Sequence, residues 1–99
     1  MLAIIGGTGL SELQGFEQLE KVAIKTRYAH AKVRLVRIGS GDKEFIFLPR
    51  HGADHKIPPH EINYRANIAA LSNLGVTEIV AVNAVGAIRG DFLPGSAAV

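Results

Sequence analysis

Short apolar runs separated by glycine- and proline-rich turns dominate the hydrophobic pattern of this chain. Runs that are continuous, or that alternate with polar residues, predict five strands, at residues 2–5, 22–26, 32–38, 44–48 and 78–82. The turn signal Gly39-Ser40-Gly41-Asp42 between the third and fourth runs predicts a hairpin over residues 32–48. The last run is apolar almost throughout, as is typical of a strand covered on both faces.

One segment has the period of a helix. Apolar residues between positions 61 and 74 recur on one face, which consists of Ile62, Ala66, Ala69 and Ala70 and is widened by Tyr64, Ile68, Leu71 and Leu74. Pro58 and Pro59 precede the helix and Gly75 can end it. Strands followed by a helix and a further buried strand predict an α/β domain.

Composition narrows the class of protein further. A chain of 99 residues forms at most one domain, and 47% apolar with 20% charged residues fits a soluble globular protein. The net charge of +2 is scattered and no arginine–aromatic stripe is present, so we expect no nucleic acid partner. The absence of cysteine excludes a disulfide framework and agrees with a cytoplasmic location. No apolar run approaches the ~20 residues that cross a bilayer, so we expect no membrane association.

The first candidate for ligand binding is the glycine turn in AIIGGTGL, residues 3–10. The dinucleotide-binding motif G-x-G-x-x-G, counted from Gly7, requires glycine at the position of Glu12. The P-loop motif also fails, because no Gly-Lys-Ser/Thr follows. What remains is a turn whose N–H groups and Thr8 hydroxyl suit a small oxyanion. Taken alone, these residues slightly favour a plain connection between a strand and a loop.

Arg50 and His51 carry a sharper signal because they directly follow a predicted strand. Arginine offers a planar fork to two phosphate oxygens, and histidine can donate to a third or move a proton. A solvated loop with an incidental basic pair is the alternative. Asn83 and Ala84 close the last predicted strand, where asparagine either caps a turn or contributes to the same crevice.

A metal site is a minor hypothesis for the segment that contains His51, Asp54, His55 and His60. The i, i+4 spacing of His51 and His55 places two ligands on one face only in a helix. Gly52 and the proline pair argue against a helix there, so we predict no metal.

Three segments together resemble the trimeric purine nucleoside phosphorylase and methylthioadenosine phosphorylase family. They are AIIGGTGL, LPRHGADHKIPPHEINYRANIAAL and VNAVGAI, in the order and spacing of the family. The resemblance covers essentially the whole chain and implies a three-layer α/β fold with a central mixed sheet. Residues 1–99 are then expected to be the N-terminal part of one phosphorylase domain, and the apolar residues 97–99 to open a further strand.

The resemblance also implies an activity, the reversible phosphorolysis of a purine nucleoside by inorganic phosphate. It places Thr8, Arg50, His51, Asn83 and Ala84 around phosphate and His55 and Tyr64 near the ribose. Asn83 stands where adenine-specific members tend to carry threonine, which points to members acting on S-methyl-5'-thioinosine. The family needs no metal or organic cofactor and forms homotrimers or hexamers. No residue is assigned as catalytic, although His51 is a candidate.

Other functions remain open at this point. Ser96 departs from the family, in which an acidic residue follows Pro94-Gly95, and the purine-contacting residues are expected beyond Val99. A general 6-oxopurine phosphorylase, and an inactive fragment or binding module, are alternatives. A nucleosidase that uses water is disfavoured because it would not need the Arg50–His51 pair.

Overall fold

The computed structural model describes residues 1–7, 15–52, 56–88, 90 and 93–99. Its five strands and one helix are β1 (Leu2–Gly6), β2 (Glu17–Ile24), β3 (Val33–Ser40), β4 (Lys43–Pro49), α1 (Tyr64–Asn73) and β5 (Glu78–Ala81), with a short 3₁₀ turn at Pro59–Glu61. The strands form one sheet in the order β2-β3-β4-β1-β5. Strands β2, β3 and β4 are antiparallel, whereas β1 runs parallel to β4 and β5. The predicted α/β class with a mixed sheet is therefore confirmed.

The predicted hairpin is formed by β3 and β4. Its turn is shorter than the four-residue turn predicted from the sequence. Gly39 and Ser40 belong to β3 and pair with β4, so only Gly41 and Asp42 turn the chain. Gly41 has a φ of +63°, a conformation that glycine adopts without the steric cost other residues bear. The turn brings β4 back beside β3, and β1 pairs with β4 on its other side.

Strand β2 begins earlier than predicted. The sequence placed it at residues 22–26, whereas it spans Glu17–Ile24 and pairs with β3 over its whole length. Its first five residues are exposed and all but Leu19 are polar, so they show no apolar alternation. Backbone pairing with β3 holds this edge strand, and hydrophobic patterning reports only the part that packs on the core.

The main core lies between one face of the sheet and helix α1. Its fully buried members are contributed by four strand residues and two helix residues, namely Ala3, Leu35, Ile46, Leu48, Ala70 and Leu71. The alanines of α1 are small, which lets the helix approach the sheet closely. The described residues thus supply the sheet and a helical layer on one of its faces.

Helix α1 begins three residues later than predicted. Residues 59–61 form the 3₁₀ turn, and Asn63 is the N-cap, with its side-chain oxygen accepting from the Ala66 N–H at 3.0 Å. The Asn63 amide also donates to the Tyr28 carbonyl at 2.9 Å. Gly75, with a φ of +79°, follows the helix as predicted. The cap therefore ties the helix start to the loop between β2 and β3.

Two predictions of burial are wrong. Tyr64 and Ile68 were placed on the apolar face of the helix, yet they are 59% and 50% exposed. Strand β5 was expected to be covered on both faces, yet Ile79 and Val80 are 43% and 48% exposed. In the described residues β5 is an edge strand of the sheet. An apolar sequence does not show whether the faces of such a strand are covered.

Residues 97–99 also differ from expectation, since they form no strand. In the described ranges, no helix has the length and apolar character needed to span a membrane.

We expect Asn63→Ala to lower the free energy of unfolding by about 1 kcal/mol, the usual cost of removing a side-chain N-cap. The loss of the bond to the Tyr28 carbonyl acts in the same direction. Urea unfolding measures the change. Asn73→Ala is the matched control, because Asn73 is exposed in the last position of α1, where alanine is a good helix former. Equal stabilities of the two variants would contradict the capping role.

Candidate functional site

Three parallel strands end side by side and define the candidate site. In the register of the sheet, Gly6 lies opposite Pro49 and Ile5 lies opposite Ala81. The carboxyl ends of β4, β1 and β5 therefore form one edge of the sheet, with β1 between the other two. Ligands of open α/β sheets bind outside such an edge. The residues that directly follow the three strands are Gly7, Arg50 and Val82.

Arg50 connects all three strand ends. It follows β4 directly, its N–H donates to the Gly6 carbonyl of β1 at 2.8 Å, and its guanidinium Nη1 donates to the Val82 carbonyl after β5 at 3.1 Å. Only one of the five guanidinium N–H groups is used by Val82. The side chain is thus fixed at the edge of the sheet while most of its donors can serve a bound anion.

His51 is held by a reciprocal pair of contacts with Ile57. The Ile57 N–H donates to the His51 carbonyl at 2.9 Å, and His51 Nδ1 lies 2.8 Å from the Ile57 carbonyl. Because a carbonyl oxygen only accepts, Nδ1 must carry a hydrogen.

Gly52 allows the chain to turn immediately after His51. Its φ is +87°, and its N–H donates to the Pro49 carbonyl at 3.0 Å. The tight turn and the Ile57 contacts close a loop that starts at the end of β4. The loop positions His51 next to Arg50 without the helix that the i, i+4 histidine spacing would require.

Asn83 and Ala84 follow Val82 as exposed residues without regular structure. The carbonyl that anchors Arg50 therefore lies one residue before Asn83. The structure brings four of the seven predicted site residues to this edge: Arg50, His51, Asn83 and Ala84. Thr8 and His55 lie outside the described residues.

Tyr64 faces a different part of the surface. It lies at the first position of α1 and lines a shallow depression together with Tyr28, Arg65 and Ile68. Its assignment to the ribose therefore stays a prediction.

Two cavities adjoin the strand ends. One, of about 480 Å³, is lined by Gly7 and His51 together with Lys21 and Arg34. The other, of about 380 Å³, is lined by Arg50, Asn63 and Asn67, and Arg34 also contributes to it. The charged side chains that line the first cavity are basic, which suits an anionic ligand.

Neither Lys21 in β2 nor Arg34 in β3 was predicted as a site residue from the sequence. Arg34 is a polar position of the alternating strand predicted at residues 32–38, and Lys21 precedes the strand predicted at residues 22–26. Ala23 pairs with Arg34, and Lys21 is two residues from Ala23, so both basic side chains belong to one face of the sheet. The period of two, combined with the strand pairing, is the signal that could have found them.

No group of three or more potential metal-ligating side chains occurs among the residues that the structure describes. Of the residues considered for a metal, His51 is committed to Ile57 through Nδ1, and His60 lies 3.9 Å from Glu61 on the exposed 3₁₀ turn.

A mixed sheet whose parallel strands end at Gly6-Gly7 and at an Arg-His pair defines an α/β domain that is suited to binding a small oxyanion. The family profile described as Phosphorylase superfamily matches residues 1–99, and the chain belongs to that superfamily. The resemblance noted from the three sequence segments is thereby confirmed.

Three similar proteins carry different but related names. The chain is 48% identical to an S-methyl-5'-thioadenosine phosphorylase from Hyperthermus butylicus, over 95% of this chain and 34% of the relative. It is 46% identical to a probable S-methyl-5'-thioinosine phosphorylase from Methanocaldococcus jannaschii, over 96% and 35%. A 6-oxopurine nucleoside phosphorylase from Pyrococcus furiosus is 45% identical, over 95% and 34%. The chain spans about a third of the length of these relatives.

A solved structure gives the same result for the fold. The methylthioadenosine phosphorylase from Schistosoma mansoni in complex with adenine is 42% identical and superposes with a TM-score of 0.82, over 95% of this chain and 34% of that chain. The mixed sheet described above is therefore part of the phosphorylase fold.

We expect His51→Ala to speed amide hydrogen exchange at Ile57 by about two- to tenfold, because one hydrogen bond contributes about 0.5–1.5 kcal/mol to closing the loop. His51→Asn should have a smaller effect, since its amide can still donate to the Ile57 carbonyl. Hydrogen exchange read by mass spectrometry measures both.

His60→Ala serves as the control for the loop, because His60 is exposed and contacts only Glu61 at long range in the described residues. Identical exchange at Ile57 in the His51 variants and the control would show that the imidazole does not hold the loop.

Proposed function

We propose that the protein is a purine nucleoside phosphorylase that cleaves S-methyl-5'-thioinosine or 5'-methylthioadenosine. The products are the free purine and 5-methylthioribose-1-phosphate, so the enzyme serves purine salvage. The observation that carries the proposal is the attachment of Arg50 to the ends of β1 and β5, which places a guanidinium at the edge where an α/β sheet binds its ligand. The names of the relatives supply the substrate class.

In this reaction a phosphate oxygen forms a bond to C1' of the ribose while the bond from C1' to the purine nitrogen breaks. The bonding electron pair leaves with the purine, which gains a proton. Departure of the base gives the sugar the character of an oxocarbenium ion, as in glycoside hydrolysis. The protein therefore has to hold phosphate in line with the breaking bond, and positioning and charge provide most of the rate enhancement.

Arg50 and His51 have complementary parts in holding phosphate. Arg50 offers a bidentate fork and a permanent charge, and its bond to Val82 fixes where the fork lies. His51 belongs to the same site because it lies next to Arg50, in a loop that it helps to close by donating from Nδ1 to the Ile57 carbonyl. The Thr8 hydroxyl and the Asn83-Ala84 segment complete the phosphate site, with His55 and Tyr64 on the ribose side.

The remaining features of the proposal follow the family resemblance. Inorganic phosphate is the co-substrate, no metal or organic cofactor takes part, and the enzyme is cytoplasmic and forms homotrimers or hexamers. The lack of cysteine supports the location. The exposure of Tyr64 and Ile68 on α1 supports a subunit contact, because large apolar side chains grouped at a surface often mark an interface.

A general 6-oxopurine nucleoside phosphorylase is the second candidate. The observation that favours it is the 45% identity to the 6-oxopurine enzyme of Pyrococcus furiosus, almost as high as the 48% and 46% identity to the two methylthio nucleoside phosphorylases. Comparison of kcat/KM for inosine and S-methyl-5'-thioinosine separates the two candidates.

We expect purine release by the full-length protein to require phosphate, because phosphate is the nucleophile. The measurement is the release of hypoxanthine or adenine from the methylthio nucleoside, with and without phosphate, and with arsenate as a substitute. Release at the same rate in phosphate-free buffer would indicate a hydrolase and would contradict the proposal.

We expect Arg50→Ala to raise the phosphate KM by about 10- to 100-fold, since a charge-assisted hydrogen bond is worth about 1.5–3 kcal/mol. The nucleoside KM should change far less, because Arg50 is assigned to phosphate alone. Steady-state kinetics with each substrate varied in turn measures both constants.

Arg27→Ala is the matched control, because Arg27 is exposed and its guanidinium contacts the neighbouring Tyr28. An equal rise in both KM values for Arg50→Ala would refute the assigned role of Arg50.

A further inference from the structure

We propose that Gly7 is a positioning residue for Arg50: the absence of a side chain at Gly7 leaves the space that the Arg50 guanidinium occupies. Gly7 was considered above only as part of a turn that brings N–H groups to an anion. The inference rests on the proposed function in one respect, because it takes phosphate as the ligand of Arg50.

The two residues are in close contact at the strand ends. Gly7 is buried directly after β1, and a Cβ added to it would lie 2.7 Å from Cζ and 3.3 Å from Nε of Arg50, and nearer still to Nη2. The distances to Nη2 and Cζ are far inside van der Waals contact. All three of the atoms nearest to such a Cβ belong to this guanidinium. The guanidinium therefore packs on the Gly7 backbone itself.

The backbone conformation does not explain the glycine at this position. The described glycines with positive φ are Gly15, Gly41, Gly52, Gly75 and Gly95, and Gly7 is not among them. The φ of Gly7 is therefore not one that excludes alanine. What opposes a side chain here is the position of the Arg50 guanidinium.

The bond to Val82 explains why the guanidinium lies in this place. Nη1 donates to the Val82 carbonyl at 3.1 Å, and the Arg50 N–H donates to the Gly6 carbonyl. The side chain thus starts beside β1, crosses the Gly7 backbone and ends at β5. A methyl group on Gly7 blocks this path, so the guanidinium has to leave its contact with Val82.

The expected defect is in phosphate binding and not in folding. A guanidinium is the far end of a flexible side chain, so it can swing away at little cost to stability. It then no longer presents its fork to the position where phosphate is held. Glycine at position 7 is in this way a determinant of the affinity for the oxyanion, acting through Arg50.

The first experiment compares Gly7→Ala with Gly90→Ala in the full-length protein. We expect Gly7→Ala to raise the phosphate KM about tenfold, in line with the loss of a charge-assisted hydrogen bond, while the nucleoside KM changes less than about twofold. Gly90→Ala is the matched control, since Gly90 is exposed, does not have a positive φ and has nothing within 4 Å of an added Cβ. Thermal unfolding should show both variants to be folded.

The second experiment tests whether the effect passes through Arg50. Arg50→Lys keeps a positive charge but has no atom equivalent to Nη2, the atom nearest to the added Cβ. In the Arg50→Lys background we expect Gly7→Ala to change the phosphate KM by less than about twofold, so the double-mutant cycle shows strong coupling. We expect the lysine variant to retain measurable phosphate binding through its positive charge, which keeps the cycle interpretable.

Two outcomes would overturn the inference. One is an unchanged phosphate KM for Gly7→Ala, and the other is the same fold-change in the arginine and lysine backgrounds. The second would show that alanine disturbs the glycine turn itself. Failure of the proposed function is separate, because the unaltered protein would then release no purine, or would release it without phosphate.

Discussion

The arrangement of the candidate site depends on one interaction, the contact of the Arg50 guanidinium with the Val82 carbonyl across the end of β1. A parallel sheet brings the ends of β4, β1 and β5 to one edge, but it does not determine which way a side chain at that edge points. The bond to Val82 and the bare backbone of Gly7 together give Arg50 a single path over the sheet end. A cation whose direction is fixed before the ligand arrives loses less conformational entropy when it binds, and this raises the affinity.

The loop after β4 places His51 beside Arg50. Gly52 turns the chain, and Ile57 binds both the carbonyl and the imidazole of His51. The same contact determines the protonated nitrogen, because Nδ1 faces an acceptor. The basic residues Lys21 and Arg34 lie along the cavity that His51 and Gly7 line, so the field around the edge favours an anion. The residues that connect the strand ends therefore also form the candidate binding site.

Much of the fold follows from the pattern of the sequence. The hairpin, the strand β1 and the stop at Gly75 are local features that turn residues and apolar runs encode directly. The first, mostly polar half of β2 was not predicted. It is held by backbone hydrogen bonds to β3, and such pairing leaves no hydrophobic pattern in the sequence. The exposure of Tyr64, Ile68 and β5 was missed because apolar character does not say what covers a surface. Arg50, His51 and Asn83 could be singled out from their place after predicted strands. The packing of Arg50 on Gly7 could not, since it depends on the register between β1 and β4 and on the bond to Val82.

The most direct test of the phosphate site is the position of a bound phosphate analogue in a crystal of the full-length protein. Arsenate replaces phosphate and is located without ambiguity by its anomalous scattering at the arsenic edge. We expect one strong peak at the carboxyl ends of β1, β4 and β5, with an arsenate oxygen about 2.7–3.2 Å from the Arg50 guanidinium. A well-occupied arsenate elsewhere on the protein, with Arg50 making no contact to it, would show that Arg50 does not bind phosphate.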